Sequence, residues 1–508
     1  MIFMAKSYCE FMDEISADEL YEGLLGYGMF ANKLPPIFTS VPFFHFCQAM
    51  SPTYSDREWH DYVLYSSMRN INIPRQFGIP TPMKYHRLCV ILRDSWDALK
   101  AHFHAQTDGQ AYKVSRVHIR KMQNRKEIFE MNYKNWRVDG NPETDLLLQK
   151  HKKASKYIVR ADISTCFPSF YSHSLPWALV GKNEAKDSRN DETLWYNKID
   201  AACFTLKNGE THGLLIGPYA SNLLAEVILT KVDKKMYDEG YRYFRNIDDY
   251  ECYVDSYETA QCFLSCLEEA LKEFDLFLNH KKTVIEALPI AVANKWIHKL
   301  NSFLANTKEI IEYKEINAYL DLALSLAGYT GDSAVLKYAI KALASQKMTD
   351  SAKQLAAQRI MHMAVVFPYL VQMMEDYVFQ PYKVDDEQIK VFADALYLDS
   401  KVFHNYEGIC FAIYYCLKHD VYLNELDKTW VIDRGDCVML LMTWLYYLKV
   451  NKGNRLATDL RPLRRLANSI KKTDMDRYWL FCYEVLSADV LDGDWKDMKR
   501  ANVSFVCL

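Results

Sequence analysis

Apolar and polar positions along the chain follow two regimes. Up to about residue 290, short runs rich in aromatic and β-branched residues alternate with helical patterns. From about Lys295 onward, period-3.6 patterns succeed one another and strand signals are scarce. Ser16 is a cap signal for a helix over Ala17–Leu25, and a second helix is expected near Ser95–His104. Tyr157 to Ile163 predicts a strand ending at Asp162. A long helix is expected from about Ala220 to Met236, then a hairpin over 241–254 with Asp248 and Asp249 at its connection. A helix from about Glu258 to Phe274 follows, then two short extended pieces, Leu276–Leu278 and Val284–Ala287. Strand, helix, strand, strand, helix, strand is the split βαβ, ferredoxin-like order. Its two central strands lie side by side, so the end of the first, Asp162, is expected to meet the hairpin tip. The second half predicts helices over Ile316–Ala327, Ala334–Ala344, Ala352–Val365, Asp386–Leu396, Tyr406–Leu417, Val438–Leu448, Thr458–Ile470 and Arg477–Leu486. The expected division is an N-terminal segment 1–50, an α+β unit 51–295 and an all-helical, HEAT-like domain 296–508.

The chemistry enters with the aspartates. Adjacent carboxylates repel, and a lone Asp-Asp pair is most often a solvated turn. Three carboxylates brought together by topology are different, because they need a divalent cation. Mg²⁺ and Mn²⁺ prefer such hard oxygen ligands, and paired-metal phosphoryl transfer uses them. The net charge of -3 over 508 residues gives no global basic field, so a nucleic acid would need a local surface. The most basic stretch is 113–160, from Lys113, Arg116 and Arg120 through Lys134 and Arg137 to Lys156 and Arg160. Tyr112, Phe129, Tyr133 and Trp136 are interleaved there. That mixture suits a groove for phosphates and stacked bases, and equally a solvated face. The 13 cysteines show no paired CxxC spacing, which predicts reduced thiols rather than a zinc framework. The first residues turn polar too soon for a signal peptide, and Val438–Tyr447 is too short for a membrane span; no membrane partner is expected.

Four short segments carry a resemblance. Ala161-Asp162-Ile163-Ser164-Thr165-Cys166-Phe167 resembles motif A of reverse transcriptases, and Gly213 to Ser221 resembles motif B. Asn246-Ile247-Asp248-Asp249 resembles motif C, and Asn279-His280-Lys281-Lys282-Thr283 resembles the bacterial motif D. Order and spacing agree over about residues 60–290. Ser172 to Trp177 and Thr211-His212-Gly213 are similar to the bacterial abortive-infection (Abi) enzymes, in particular the AbiK-like group. The resemblance implies reverse-transcriptase fingers and palm, with a helical C-terminal domain in place of a thumb. It implies a phage-defence DNA polymerase of the bacterial cytoplasm that makes untemplated, protein-primed DNA from dNTPs. The implied product is single-stranded DNA covalently attached to the protein, and the implied assembly is a homo-oligomer, trimer or hexamer. A templated reverse transcriptase and an inactive nucleic-acid-binding scaffold are the alternatives.

Residue by residue, the resemblance implies Asp162, Asp248 and the Ile163 backbone as ligands of two Mg²⁺ or Mn²⁺ ions. Asp249 is a further catalytic carboxylate. Phe167 is expected under the sugar, where it would exclude a 2′-hydroxyl. Arg75 is the expected triphosphate clamp, with Lys84 and Arg87 as alternatives. Gly217 and Ser221 are expected on the pocket floor and Lys282 at the pyrophosphate. The backbone N–H groups of 163–167 are expected around phosphate oxygens. Tyr8 is expected to prime, with Tyr21 and Tyr27 behind it, since chain starts are mobile and a phenol reaches far. Two departures stand out: Asn246 replaces the aromatic that usually opens motif C, and Leu215-Ile216 replace the Pro-Gln of motif B. The first is expected to spare metal binding and to alter primer packing; the second fits weak reading of a template.

Overall fold

The computed structural model describes residues 7–49, 58–69, 73–121, 129–130, 154–290 and 294–507. The first strands form a two-stranded antiparallel hairpin, β1 (Tyr62–Met68) and β2 (Pro74–Pro80), in which Ser67 lies opposite Arg75. Two short strands, β3 (His118–Ile119) and β4 (Phe129–Glu130), pair next. The central sheet has four strands: β5 (Tyr157–Asp162), β6 (Tyr243–Asn246), β7 (Asp249–Val254) and β8 (Val284–Ala287). Their spatial order is β6-β7-β5-β8, with every neighbouring pair antiparallel. This is the split βαβ arrangement expected from the order of elements. Leu276–Leu278 is not a strand, a correction to the expectation; Leu278 makes a single bridge to Ile163.

Strand alternation divides the sheet's residues between two faces. Val159, Ala161, Tyr243, Tyr250 and Cys252 point into the main core, against the helices Tyr219–Asp238 and Tyr257–Lys272. Ile158, Phe244 and Tyr253 form a smaller apolar cluster on the other face, with Tyr112, Leu288 and Ile290 beside it. The motif residues at the ends of β5 and β7 stand at the rim of that second face.

The Ser16 cap is realised as a capping box with Glu19, and the helix runs Ala17–Leu25 as expected. Beyond Asn294 the described residues form helices joined by turns, with two isolated bridges, Ile311 to Met348 and Val506 to Phe38. Helix Ala334–Ala344 has the expected bounds, and Asp386–Val402 and Tyr406–His419 extend past theirs. A 3-10 turn at Pro368–Met373 and a π turn at Glu375–Phe379 interrupt the succession, and these contacts do not establish a HEAT-type repeat.

The helical half is also not separate from the rest. Buried Glu407 accepts hydrogen bonds from the Ser67 hydroxyl (2.8 Å) and the Met68 amide (2.6 Å), so it docks β1 onto helix Tyr406–His419. The last residues fold back: Trp479 donates to the Ile79 carbonyl, and Phe505 packs on Phe30, Phe43 and Trp479. All thirteen cysteines are free thiols, and no helix among the described residues is long and apolar enough to cross a membrane.

Candidate active site

The β5–β7 pairing places Asp162 directly opposite Asp249, and the Ile163 amide donates to the Asp248 carbonyl at 3.0 Å. The three aspartates thus come within electrostatic reach of one another at one corner of the sheet although 86 residues separate the first two. The corner is built by a two-residue connection, Ile247-Asp248, between β6 and β7. Ile247 has φ 58°, a left-handed conformation that a β-branched residue adopts only under strain of order 1–3 kcal/mol.

The electrostatics are those of crowded carboxylates. Burial, then Asp248 and Asp162, push Asp249 up to about 6, and Asp249 shares a side-chain hydrogen bond with Asp162. Burial chiefly, with Asp162 adding to it, raises Asp248 as well, against the opposing charges of Lys282 and Arg75. Asp162 is nearly buried and both its oxygens are occupied: Oδ1 accepts from Asn279 Nδ2 (3.0 Å) and Oδ2 from Lys282 Nζ (2.7 Å). Lys282 is itself 63% exposed, so it can leave. Repelling hard oxygens, one of them held neutral up to about pH 6, next to a displaceable ammonium fit a divalent cation. A cavity of about 510 Å³ opens beside them, lined by Asp162, Asp249, Asn246, Lys282 and the apolar cluster of the second face.

The other expected residues divide. Arg75, half-buried on β2, lies within electrostatic reach of Asp248; burial and the neighbouring Arg69 lower its affinity for its proton. Lys84, by contrast, is buried in helix Pro82–Asp94. Phe167 follows the strand in the short helix Cys166–Ser169, its ring against Phe170 and its carbonyl bonded by the Leu214 amide (2.8 Å). Gly217 has φ 129°, and a Cβ there would stand 3.2 Å from Ala31 Cβ and 3.5 Å from the Gly78 carbonyl oxygen. Ser221 is not brought to the aspartates: it lines a separate cavity of about 20 Å³ with Tyr85 and Leu88.

The amides of Ile163 and Ser164 are taken by the Asp248 and Phe277 carbonyls, so the expected phosphate cradle narrows to 165–167, a correction. Tyr8 is not brought to the cleft. It is buried beneath the sheet's other face, and its hydroxyl donates to Glu226 at 2.7 Å.

Of the basic stretch, Arg125, Lys126, Tyr133, Trp136 and the residues through Lys153 lie outside the described residues, as does the side chain of Phe129. Lys113 and Arg116 are buried, over the rings of Phe11 and Phe244, and Arg160 pairs with Glu251 and Glu286 across the sheet. They are tied into the four-stranded sheet and its neighbours rather than spread along a groove.

Cations do gather elsewhere. Lys33, Lys337 and Lys341 interact electrostatically with one another, and Lys33 with Arg75. Lys337 lies over Tyr369 and Lys341 over Tyr377. Lys33 Nζ donates to Gln372 Oε1 at 3.0 Å, and buried Glu407 lies within electrostatic reach of both Lys33 and Lys337.

Sequence reasoning missed Asn279 as a direct partner of Asp162, although it opens the motif D segment. It also missed Arg245, Glu226 and Asp233 under the hairpin. The signal for the last two was two acids seven residues apart on an otherwise apolar helix face.

No family model matches the chain, and no curated protein matches it. Among solved structures it is similar to apo telomerase from Candida tropicalis, at 12% identity and TM-score 0.34, over 83% of this chain and 72% of that one. It is also similar to that enzyme truncated from its C-terminal domain, at 14% identity and TM-score 0.31, over 46% of this chain and 52% of that one. For telomerase from Candida albicans in complex with a fragment of telomeric RNA, the figures are 11%, 0.31, 70% and 64%. The chain thus spans about half the length of the truncated enzyme. These are loose likenesses.

Proposed function

We propose that this chain is a DNA polymerase of reverse-transcriptase type that extends a hydroxyl with dNTPs. The observation that carries the reading is the convergence of Asp162, Asp248 and Asp249 across the β5–β7 pair, in the order and spacing of the four sequence motifs.

Asp162, Asp248 and the Ile163 backbone would hold two Mg²⁺ or Mn²⁺ ions. Such ions, when bound, lower the pKa of an attacking hydroxyl and neutralise a leaving pyrophosphate. The chain's own residues do the rest. Asp249 keeps the field at the site negative. Lys282, displaced from Asp162, is placed to screen the pyrophosphate. Arg75 approaches from β2 as the triphosphate clamp, on a hairpin fixed by Glu407. Phe167 closes the space a 2′-hydroxyl would need. The clustered lysines Lys33, Lys337 and Lys341 suit the phosphodiester backbone of a strand.

On the motif resemblance we place the enzyme in phage defence in the bacterial cytoplasm, as a homo-oligomer whose single-stranded product is untemplated and attached to the protein. Motif B supports weak template reading through Leu215 and Ile216, which are buried apolar or nearly so where a polar contact to a base pair would stand. The experiment incubates the purified protein with dNTPs and Mg²⁺ or Mn²⁺, with and without an added RNA. Nuclease digestion and mass spectrometry of the protein follow. Product of random order on a protein adduct supports the proposal. A copy of the RNA supports templated synthesis instead, and no incorporation supports the scaffold.

A further inference from the structure

Arg245 lies on β6, two residues before the hairpin tip, and points away from the cleft into the core. Its side chain has no exposed surface. Every guanidinium nitrogen is engaged. Nε donates to Asp233 Oδ1 and Oδ2 (3.1 and 2.9 Å), and Nη2 to Asp233 Oδ2 (2.7 Å) and Glu226 Oε2 (3.1 Å). Nη1 donates to Glu226 Oε1 (2.7 Å) and to the Ile247 carbonyl (3.0 Å).

Both carboxylates come from the buried side of helix Tyr219–Asp238, about two turns apart. They are fixed in turn: Asp233 accepts from the Tyr243 hydroxyl (3.0 Å), and Glu226 from Ser115 (2.9 Å) and Tyr8 (2.7 Å). The arginine therefore has one orientation available, and among the described residues the backbone carbonyl its guanidinium holds is that of Ile247, the strained residue of the turn.

A peptide unit is planar, so the Ile247 carbonyl and the Asp248 amide share one plane. Fixing that carbonyl fixes the direction in which the Asp248 Cα presents its carboxylate. Without the clamp, an isoleucine at φ 58° would relax toward ordinary backbone and turn Asp248 away from Asp162. A buried ion cluster is weak evidence for stability as such, since apolar replacements of such clusters are often neutral or stabilising.

We propose that Arg245 is a positioning residue, with Glu226 and Asp233 as its anchors, that holds the Ile247–Asp248 peptide plane so that Asp248 and Asp249 meet Asp162. The role rests on the polymerase reading of that site.

The test is the charge-free triple variant Arg245→Met, Glu226→Gln, Asp233→Asn, which leaves no buried ion unpaired. Mn²⁺ binding is read by electron paramagnetic resonance, and kcat and KM for a dNTP are read separately. The variant is expected to fold, to bind Mn²⁺ about tenfold or more weakly, as losses behind metal ligands do, and to lose kcat rather than KM. Adding Ile247→Gly, which takes a positive φ freely, is expected to restore part of the Mn²⁺ affinity. A folded triple variant with wild-type Mn²⁺ affinity and kcat overturns the proposal, and so does a loss that Ile247→Gly leaves unchanged. Should the triple variant not fold, Glu226→Gln alone, which keeps a hydrogen-bonding partner, is judged by the same two readouts. Wild-type protein that neither binds Mn²⁺ nor incorporates dNTPs sinks the polymerase reading instead.

Discussion

Asp249→Asn should make the metal-free protein more stable at neutral pH and leave it unchanged in acid. Burial and two neighbouring carboxylates push Asp249 up to about 6, from an unfolded value near about 3.9. A carboxyl raised on folding is favoured in its protonated form. Its contribution is therefore fully present below the unfolded pKa and is lost as pH rises through about 6. A displacement of roughly two units corresponds to a ceiling of about 3 kcal/mol. Asp249 is exposed on one side, and solvent screening brings that down to about 1 kcal/mol. In a chain of this size that is about 1–2 °C in Tm. The assay is thermal unfolding in chelator from pH 4 to 8. The gap between variant and wild type should open between pH 4 and 6 and stay level above about pH 7. Mg²⁺ at pH 8 should stabilise the wild type and do less for the variant. Parallel pH profiles, or equal stabilisation by Mg²⁺, would refute the claim that the carboxylates repel and await a cation.

Phe167→Ala should raise the use of ATP relative to dATP, measured as the ratio of kcat/KM values; an unmoved ratio makes Phe167 core only. Tyr8→Phe should cost about 1 kcal/mol of stability, the net worth of one hydrogen bond to Glu226. In the present arrangement it should leave dNTP incorporation intact; loss of the DNA–protein adduct in this variant would show that the segment moves to the cleft. Lys337→Glu with Lys341→Glu should weaken single-stranded DNA binding and flatten its salt dependence by about 0.7 per lost phosphate contact. An unchanged salt slope would remove these lysines from the path of the strand.

The four-stranded sheet and its two helices were legible in the sequence because their features are local and periodic. Strand β5, the hairpin and the helices Tyr219–Asp238 and Tyr257–Lys272 each announce themselves by their own pattern, and topology alone then brings Asp162 to Asp248. What stayed hidden is long-range burial. Tyr8 looks like a mobile chain start, yet a glutamate 218 residues away takes its hydroxyl beneath the sheet. Lys113 and Arg116 look like a phosphate track, yet aromatic rings cover them. Glu407 looks like an ordinary first-turn acid, yet it ties the β1–β2 hairpin to the helical half. In each case the partner lies far along the chain, where no periodicity points to it.

The central claim is that the converging aspartates form a metal-dependent nucleotidyl-transfer site. It is tested most directly by incorporation of a labelled dNTP by purified wild-type protein and by Asp248→Asn, each with Mg²⁺, with Mn²⁺ and with chelator, alongside a thermal melt of both. The wild type is expected to incorporate nucleotide until chelator abolishes it, and a variant that melts no lower than the wild type is expected to incorporate none above background. Incorporation by a folded Asp248→Asn at near the wild-type rate, or by the wild type in chelator, would contradict it.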